Sequence, residues 1–163
     1  MAPTFDTPGQ RPEGFRSDHS AVDLGDDPPA FERAKAALRA WAVHRGAGVE
    51  IHPPDASLAP DMTVSFTTRQ LGLWFLAACR VTEVIDTVTI FGFTYATLPG
   101  HPERGEESFT VSHHPGEQVR FEVAATWRPD ALVTKLGGPV ARLVQRRATQ
   151  RYLDAMVRCC QPL

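Results

Sequence analysis

Hydrophobic and polar positions change rhythm along this chain, and each rhythm predicts an element. FRSDHSAVDL, residues 15–24, reads as a short first strand. GDDPPAF then reads as a turn into a helix, with Asp27 as N-cap and Pro28 at the first helical position, where a missing N–H costs nothing. Phe31, Ala34, Leu38, Trp41 and Ala42 recur at spacings of three and four, which predicts one amphipathic helix stopped by Gly46 and Gly48. The middle switches to short β-branched and aromatic runs at 48–52, 61–68, 74–85 and 88–98. EESFTVSH and EQVRFEVAATW follow as a hairpin around HPGE. Alternation is cleanest in the last of these. Val119, Phe121, Val123, Ala125 and Trp127 share one face, and Gln118, Arg120, Glu122, Ala124 and Thr126 share the other, as in a half-buried antiparallel strand. From 130 to 158 the period returns to helical. Gly137, Gly138 and Pro139 interrupt it, and Leu136, Val140, Leu143, Val144, Ala148, Tyr152, Ala155 and Met156 form an apolar stripe.

Strand, helix, about six strands and a long helix make an α+β domain. A sheet with one apolar face needs a cover, and a twisted sheet of this size can curl around one long helix. That is the helix-grip layout: a curved antiparallel β-sheet wrapped around a long C-terminal helix, with a cavity wherever the fit is incomplete. The chain's 163 residues suit a single domain with its own core. Residues 1–13, rich in Pro, Gly and polar groups, read as a disordered tail, and 14–160 as the domain.

Charge and cysteine usage narrow the function classes. The net charge of −2 argues against nucleic acid as a partner. The arginines Arg142, Arg146, Arg147, Arg151 and Arg158 of the last helix read as a solvated face. Three cysteines, an odd number, argue against a disulfide framework and favour a reducing cytoplasm. The sequence offers no apolar leader and no membrane span. It has no GxSxG, no glycine-rich phosphate loop and no metal-ligand spacing such as HExxH, so neither a cofactor nor a metal is expected.

YATLPGHPERGEESF, residues 95–109, carries the candidate chemistry. Pro99 to Glu107 reads as a stiff, charged connection longer than an ordinary hairpin loop, and long ordered loops are often functional. Side chains alternate along a strand, so Glu107 shares the inward face of Phe109 and Val111, while Glu106 faces outward with Ser108 and Thr110. A carboxylate at the rim of an apolar cavity loses hydration, which raises its pKa and suits acid/base work. Tyr95 follows Phe91 and Phe93 on one strand face and can present a hydroxyl inside. His101, beside Pro102, is a further acid/base candidate. Glu103, Arg104 and Glu106 are expected mostly outside, clamping the loop. Phe91, Phe93, Phe121, Trp127 and Trp74 are candidates to line the pocket, and equally to be ordinary core. Arg80 is a candidate anion-binding group or an ion-pair partner for a glutamate of this stretch.

Several segments together resemble a known family. CRV at 79–81, GFTYATLPGHPERGEESF at 92–109, RP at 128–129, the Q…RYLDAM ending at 145–156 and AFERAKAALRAW at 30–41 look like the DUF1990 (UPF0548) family over roughly residues 14–158. Ala96 stands where that family's YGTLPGHP pattern has Gly, and Trp127 stands where a small polar residue is usual before RP, so both can reshape the cavity. The resemblance brings no assigned activity with it. The residues themselves support a cavity for a small, largely apolar molecule, similar in layout to START and Bet v 1-like proteins. Two functions compete: a cofactor-independent cyclase, isomerase or hydratase using Glu107 with Tyr95 or His101, and a non-catalytic carrier of a hydrophobic ligand. An interaction module built on the loop and the arginine face is a third.

Overall fold

The computed structural model describes residues 13–70, 72–101, 103–129 and 138–161. The expected tail, Leu136 and Gly137 fall outside these residues, apart from Glu13. The strands are β1 (Arg16–Asp23), β2 (Val49–His52), β3 (Thr63–Gln70), β4 (Leu73–Asp86), β5 (Ile90–Thr97), β6 (Glu103–Ser112) and β7 (Arg120–Pro129). The helices are α1 (Pro28–Arg39), α2 (Ala42–Gly46) and α3 (Gly138–Cys160). The strands form one sheet in the order β1-β7-β6-β5-β4-β3-β2, with every neighbouring pair antiparallel. The chain therefore meanders from β2 to β7, and β1 closes the far edge beside β7. α3 packs against α1, α2, β7 and β1, so the helices and the inner sheet face share one core.

The alternation read in β7 is met: Phe121, Val123, Ala125 and Trp127 are all buried. Register carries that inner face across the sheet. Phe121 pairs with Val111 and Val123 with Phe109, and these pair in turn with Phe91 and Phe93 on β5. On β4 a bulge between Val81 and Glu83 resets the parity, so Cys79 and Val81 before it and Val84 after it all join the core.

Three expectations are corrected. The first helix is two helices, because Trp41 adopts a left-handed conformation with φ of 56° and breaks the run after Arg39. Its indole is buried and its N–H donates to the Ala56 carbonyl at 3.0 Å, so tertiary packing overrides the helical period. Trp74 does not line the interior. It sits on β4 opposite in parity to Cys79 and Val81, and it is 64% exposed beside the exposed Leu76. Arg80 has the outward parity read for it, opposite to Val81, in register with Ala96 and, beyond it, Glu106. The charged connection is also shorter than expected. β6 already begins at Glu103, which leaves only residues 98–102 between β5 and β6. On α3, Leu143 is exposed, whereas Tyr152, Ala155 and Met156 are buried as the stripe predicts.

Candidate functional site

Because β6 starts early, Glu103, Gly105, Glu107, Phe109 and Val111 form one alternating inward row. Gly105 sits in that row because β7 leaves no space for a side chain. A Cβ there would lie 2.1 Å from the Thr126 carbonyl oxygen and 2.8 Å from the Trp127 Cα. The row is acidic at the Glu103 end and apolar at the Val111 end. Glu107 is therefore set deeper than a loop rim, and Glu103 faces inward rather than serving as an outer clamp. Arg104 is exposed and Glu106 part-buried on the outer face, as parity requires.

Tyr95 and Glu107 are direct cross-strand partners between β5 and β6. The Tyr95 hydroxyl donates to Glu107 Oε2 at 2.6 Å. Glu107 Oε1 is buried and has no hydrogen-bond partner. The residue as a whole is only part-buried, so part of its side chain stays in reach of solvent. Desolvation raises its pKa to about 7 from the ordinary 4.5, and the Tyr95 hydrogen bond opposes that rise. Tyr95 is held well above the ordinary phenol range, first by burial and then by the Glu107 charge. Tyr152 of α3, a member of the predicted stripe, is pushed in the same direction by burial and then by the Glu107 charge.

Glu103 is also pushed up to about 7, by burial first and then by the charges of Glu107 and Asp18. His101 is close but differently used. Its Nδ1 accepts the Glu103 backbone N–H at 3.0 Å, and burial lowers its pKa to about 4. It is a neutral imidazole at neutral pH, with Nδ1 engaged in the turn. The aromatic residues divide. Phe91, Phe93 and Phe121 belong to the main core, whereas Trp127 forms a separate cluster with Ala125. The Trp127 indole N–H donates to Asp18 Oδ2 at 2.6 Å.

His44 is a buried polar residue beside the pair that sequence reasoning missed. It lies on α2 with no exposure, and neither ring nitrogen has a hydrogen-bond partner. Six rings, those of Trp41, Phe66, Phe93, Tyr95, Phe109 and Tyr152, surround it at centroid distances from 4.6 to 5.9 Å. Burial holds its pKa down at about 3, so it is a neutral imidazole. The available signal was its spacing of three from Trp41 on the buried face of the same helical run. Cys79, with its thiol pushed up by burial, is an inert core group.

The family model described as "Domain of unknown function (DUF1990)" matches residues 2–155. A UPF0548 protein from Deinococcus radiodurans is 31% identical over 160 residues, covering 92% of this chain and 81% of that protein. Among solved structures, the ZhuI aromatase/cyclase from Streptomyces sp. R1128 superposes with a TM-score of 0.67 at 10% identity, covering 90% of this chain and 93% of that one. Norcoclaurine synthase from Thalictrum flavum, in complex with dopamine and hydroxybenzaldehyde, gives 0.59 at 10% identity over 88% and 85%. At these identities the likeness establishes the helix-grip fold.

Proposed function

The chain belongs to the DUF1990 family, and on the geometry of its interior we propose that it is a cofactor-independent acid/base enzyme acting on a small, largely apolar molecule. The observation that carries this reading is the Tyr95–Glu107 pair. One oxygen of the carboxyl is fixed by the phenol and the other is buried without a partner. With a pKa of about 7, Glu107 is present in both protonation states at neutral pH, the condition under which one group can accept and then return a proton. Tyr95 stays protonated and orients Oε2, leaving Oε1 for the substrate. A proton taken from one substrate position and returned at another gives an isomerisation. A proton delivered to a leaving hydroxyl after ring closure gives a dehydrative cyclisation. Solved structures of the same fold include an aromatase/cyclase and a synthase holding two small aromatic molecules, which supports this substrate size and character.

The test begins with native mass spectrometry of freshly purified protein, which identifies a co-purifying molecule, followed by turnover assays on that molecule and its close analogues. Glu107→Gln keeps the shape and is expected to abolish turnover while the protein still folds. Full activity of Glu107→Gln on an identified substrate would overturn the assignment. Retention of the molecule by both proteins with no product from either would select the carrier reading.

Tyr95→Phe removes the hydrogen bond that favours the ionised carboxylate, so the Glu107 pKa rises further. The limb of the pH–rate profile that Glu107 governs, the acidic limb where it first accepts a proton and the basic limb where it first donates one, is expected to move to higher pH in this variant. An unmoved limb would assign that titration to another group.

A further inference from the structure

A second constellation lies at the open end of the sheet, apart from the Tyr95–Glu107 pair. Arg16 and Asp18 share the inward face of β1, and Trp127 faces them from β7. Arg142 and Arg146 approach from α3, one helical turn apart. Together with Ser17 these residues line a half-open cleft of about 260 Å³. From it we propose that the cleft is a binding site for the oxyanion, carboxylate or phosphate, of a small organic acid.

Three observations carry the proposal. Arg16 Nη1 is buried and has no hydrogen-bond partner, which leaves a charged donor in want of an acceptor. The Arg16 guanidinium lies 5.5 Å from the Trp127 ring centroid, so it is held by stacking, and among the described residues no carboxylate pairs with it. Arg142 and Arg146 are exposed, and among the described residues no carboxylate pairs with either. Among the described residues the cleft sets three arginines against one carboxylate, Asp18, whose Oδ2 already accepts the Trp127 N–H. Like charges gathered around a cleft repel one another until an anion enters. The planar guanidinium fork matches carboxylate and phosphate oxygens two at a time. The volume is just under the roughly 300–1,000 Å³ of ordinary small-molecule pockets, which suits a small acid and excludes a polymer as the natural occupant. Asp18 and Glu107 are in register across β1, β7 and β6, two strand spacings or roughly 10 Å apart. An acid anchored at Arg16 therefore lies within one or two ring widths of Glu107. Taken as a statement about the substrate, this rests on the proton-transfer reading above.

Calorimetric titration at constant ionic strength, with benzoate and with inorganic phosphate, tests the cleft directly. Saturable one-to-one binding of at least one of them is expected, at least tenfold weaker in Arg16→Met and unchanged in Glu107→Gln. Arg16 packs on Trp127, so the double variant Arg142→Ala/Arg146→Ala, on exposed helix positions that alanine suits, supplies a second measurement with the fold intact. The same tenfold weakening is expected there. Preference for benzoate or for phosphate identifies which oxyanion the site takes. The proposal is overturned by an absence of saturable binding, by equal binding in the arginine variants, or by a loss in Glu107→Gln as large as in Arg16→Met. None of these results bears on turnover by Glu107, which stands or falls by its own variant.

Discussion

Glu107 and His44 both neighbour Tyr95, and burial shifts both in favour of their neutral forms. Their effects on stability run in opposite directions with pH. Glu107 keeps its proton in the folded protein up to about 7, whereas the unfolded chain releases it near 4.5. Its contribution is complete below 4.5 and is lost as pH rises to 7. His44 stays neutral in the folded protein down to about 3, whereas the unfolded chain binds a proton near 6.5. Its contribution is complete above 6.5 and is lost as pH falls toward 3. Thermal melts across this range separate the two. Glu107→Gln is expected to flatten the loss between pH 4.5 and 7, by at most roughly 3 kcal/mol because the residue is not fully enclosed. His44→Leu is expected to flatten the loss below 6.5. Parallel pH profiles for wild type and Glu107→Gln would mean that Glu107 is an ordinary solvated carboxylate.

At the scale of elements, the contact between β6 and β7 positions the acidic row. Gly105 lets the two backbones close where any side chain would strike main-chain atoms, which unlike the tip of a flexible side chain cannot swing aside. Gly105→Ala is expected to destabilise by about 1–3 kcal/mol, the usual cost of overpacking. It should also disturb the Tyr95–Glu107 bond more than a substitution at the exposed Arg104 does. Denaturant unfolding of the two variants checks this, and equal stability would mean that the strands part there easily. The left-handed Trp41 is the matching feature of the helical layer. It ends α1, starts α2 and carries His44 into the ring cluster.

At the scale of the whole molecule, the described residues form one seven-stranded sheet with its helices on the inner face. β5 stands at the centre of the strand order, and the four-residue β2 stands at an edge with β3 as its one neighbour. Local opening costs least at edges and most in strands paired on both sides over a packed core. Hydrogen exchange is expected to be slowest in β5 and β6 and faster in β2. Equal protection would mean that the sheet opens as a single unit. No described helix is long and apolar enough to cross a membrane.

The order of elements, the inward face of β7 and the inward parity of Tyr95 and of Glu107 were determined by the sequence itself, whereas the register that makes those two cross-strand partners was not. Alternation is a local property of an extended chain, and it survives whatever the strand packs against. Its reach extended further than it was followed: Arg16 and Asp18 have the parity of Val22, and Glu103 has the parity of Glu107. The sequence could not decide where alternation begins and ends. Pro99 to Glu107 has loop composition, yet β7 offers a hydrogen-bonding edge as far as Pro129, and β6 extends to Glu103 to meet it. In the same way Trp41 leaves the helical period because a buried indole and its bond to Ala56 outweigh local propensity. Trp74 is exposed because its strand turns that face away from the helices. The arginine cleft draws on β1, β7 and α3, three segments far apart in sequence, and only the pairing of β1 with β7 and the packing of α3 on both bring them together. Spacing along a chain constrains near neighbours; which distant charges share a cleft is decided by the packing that buries them.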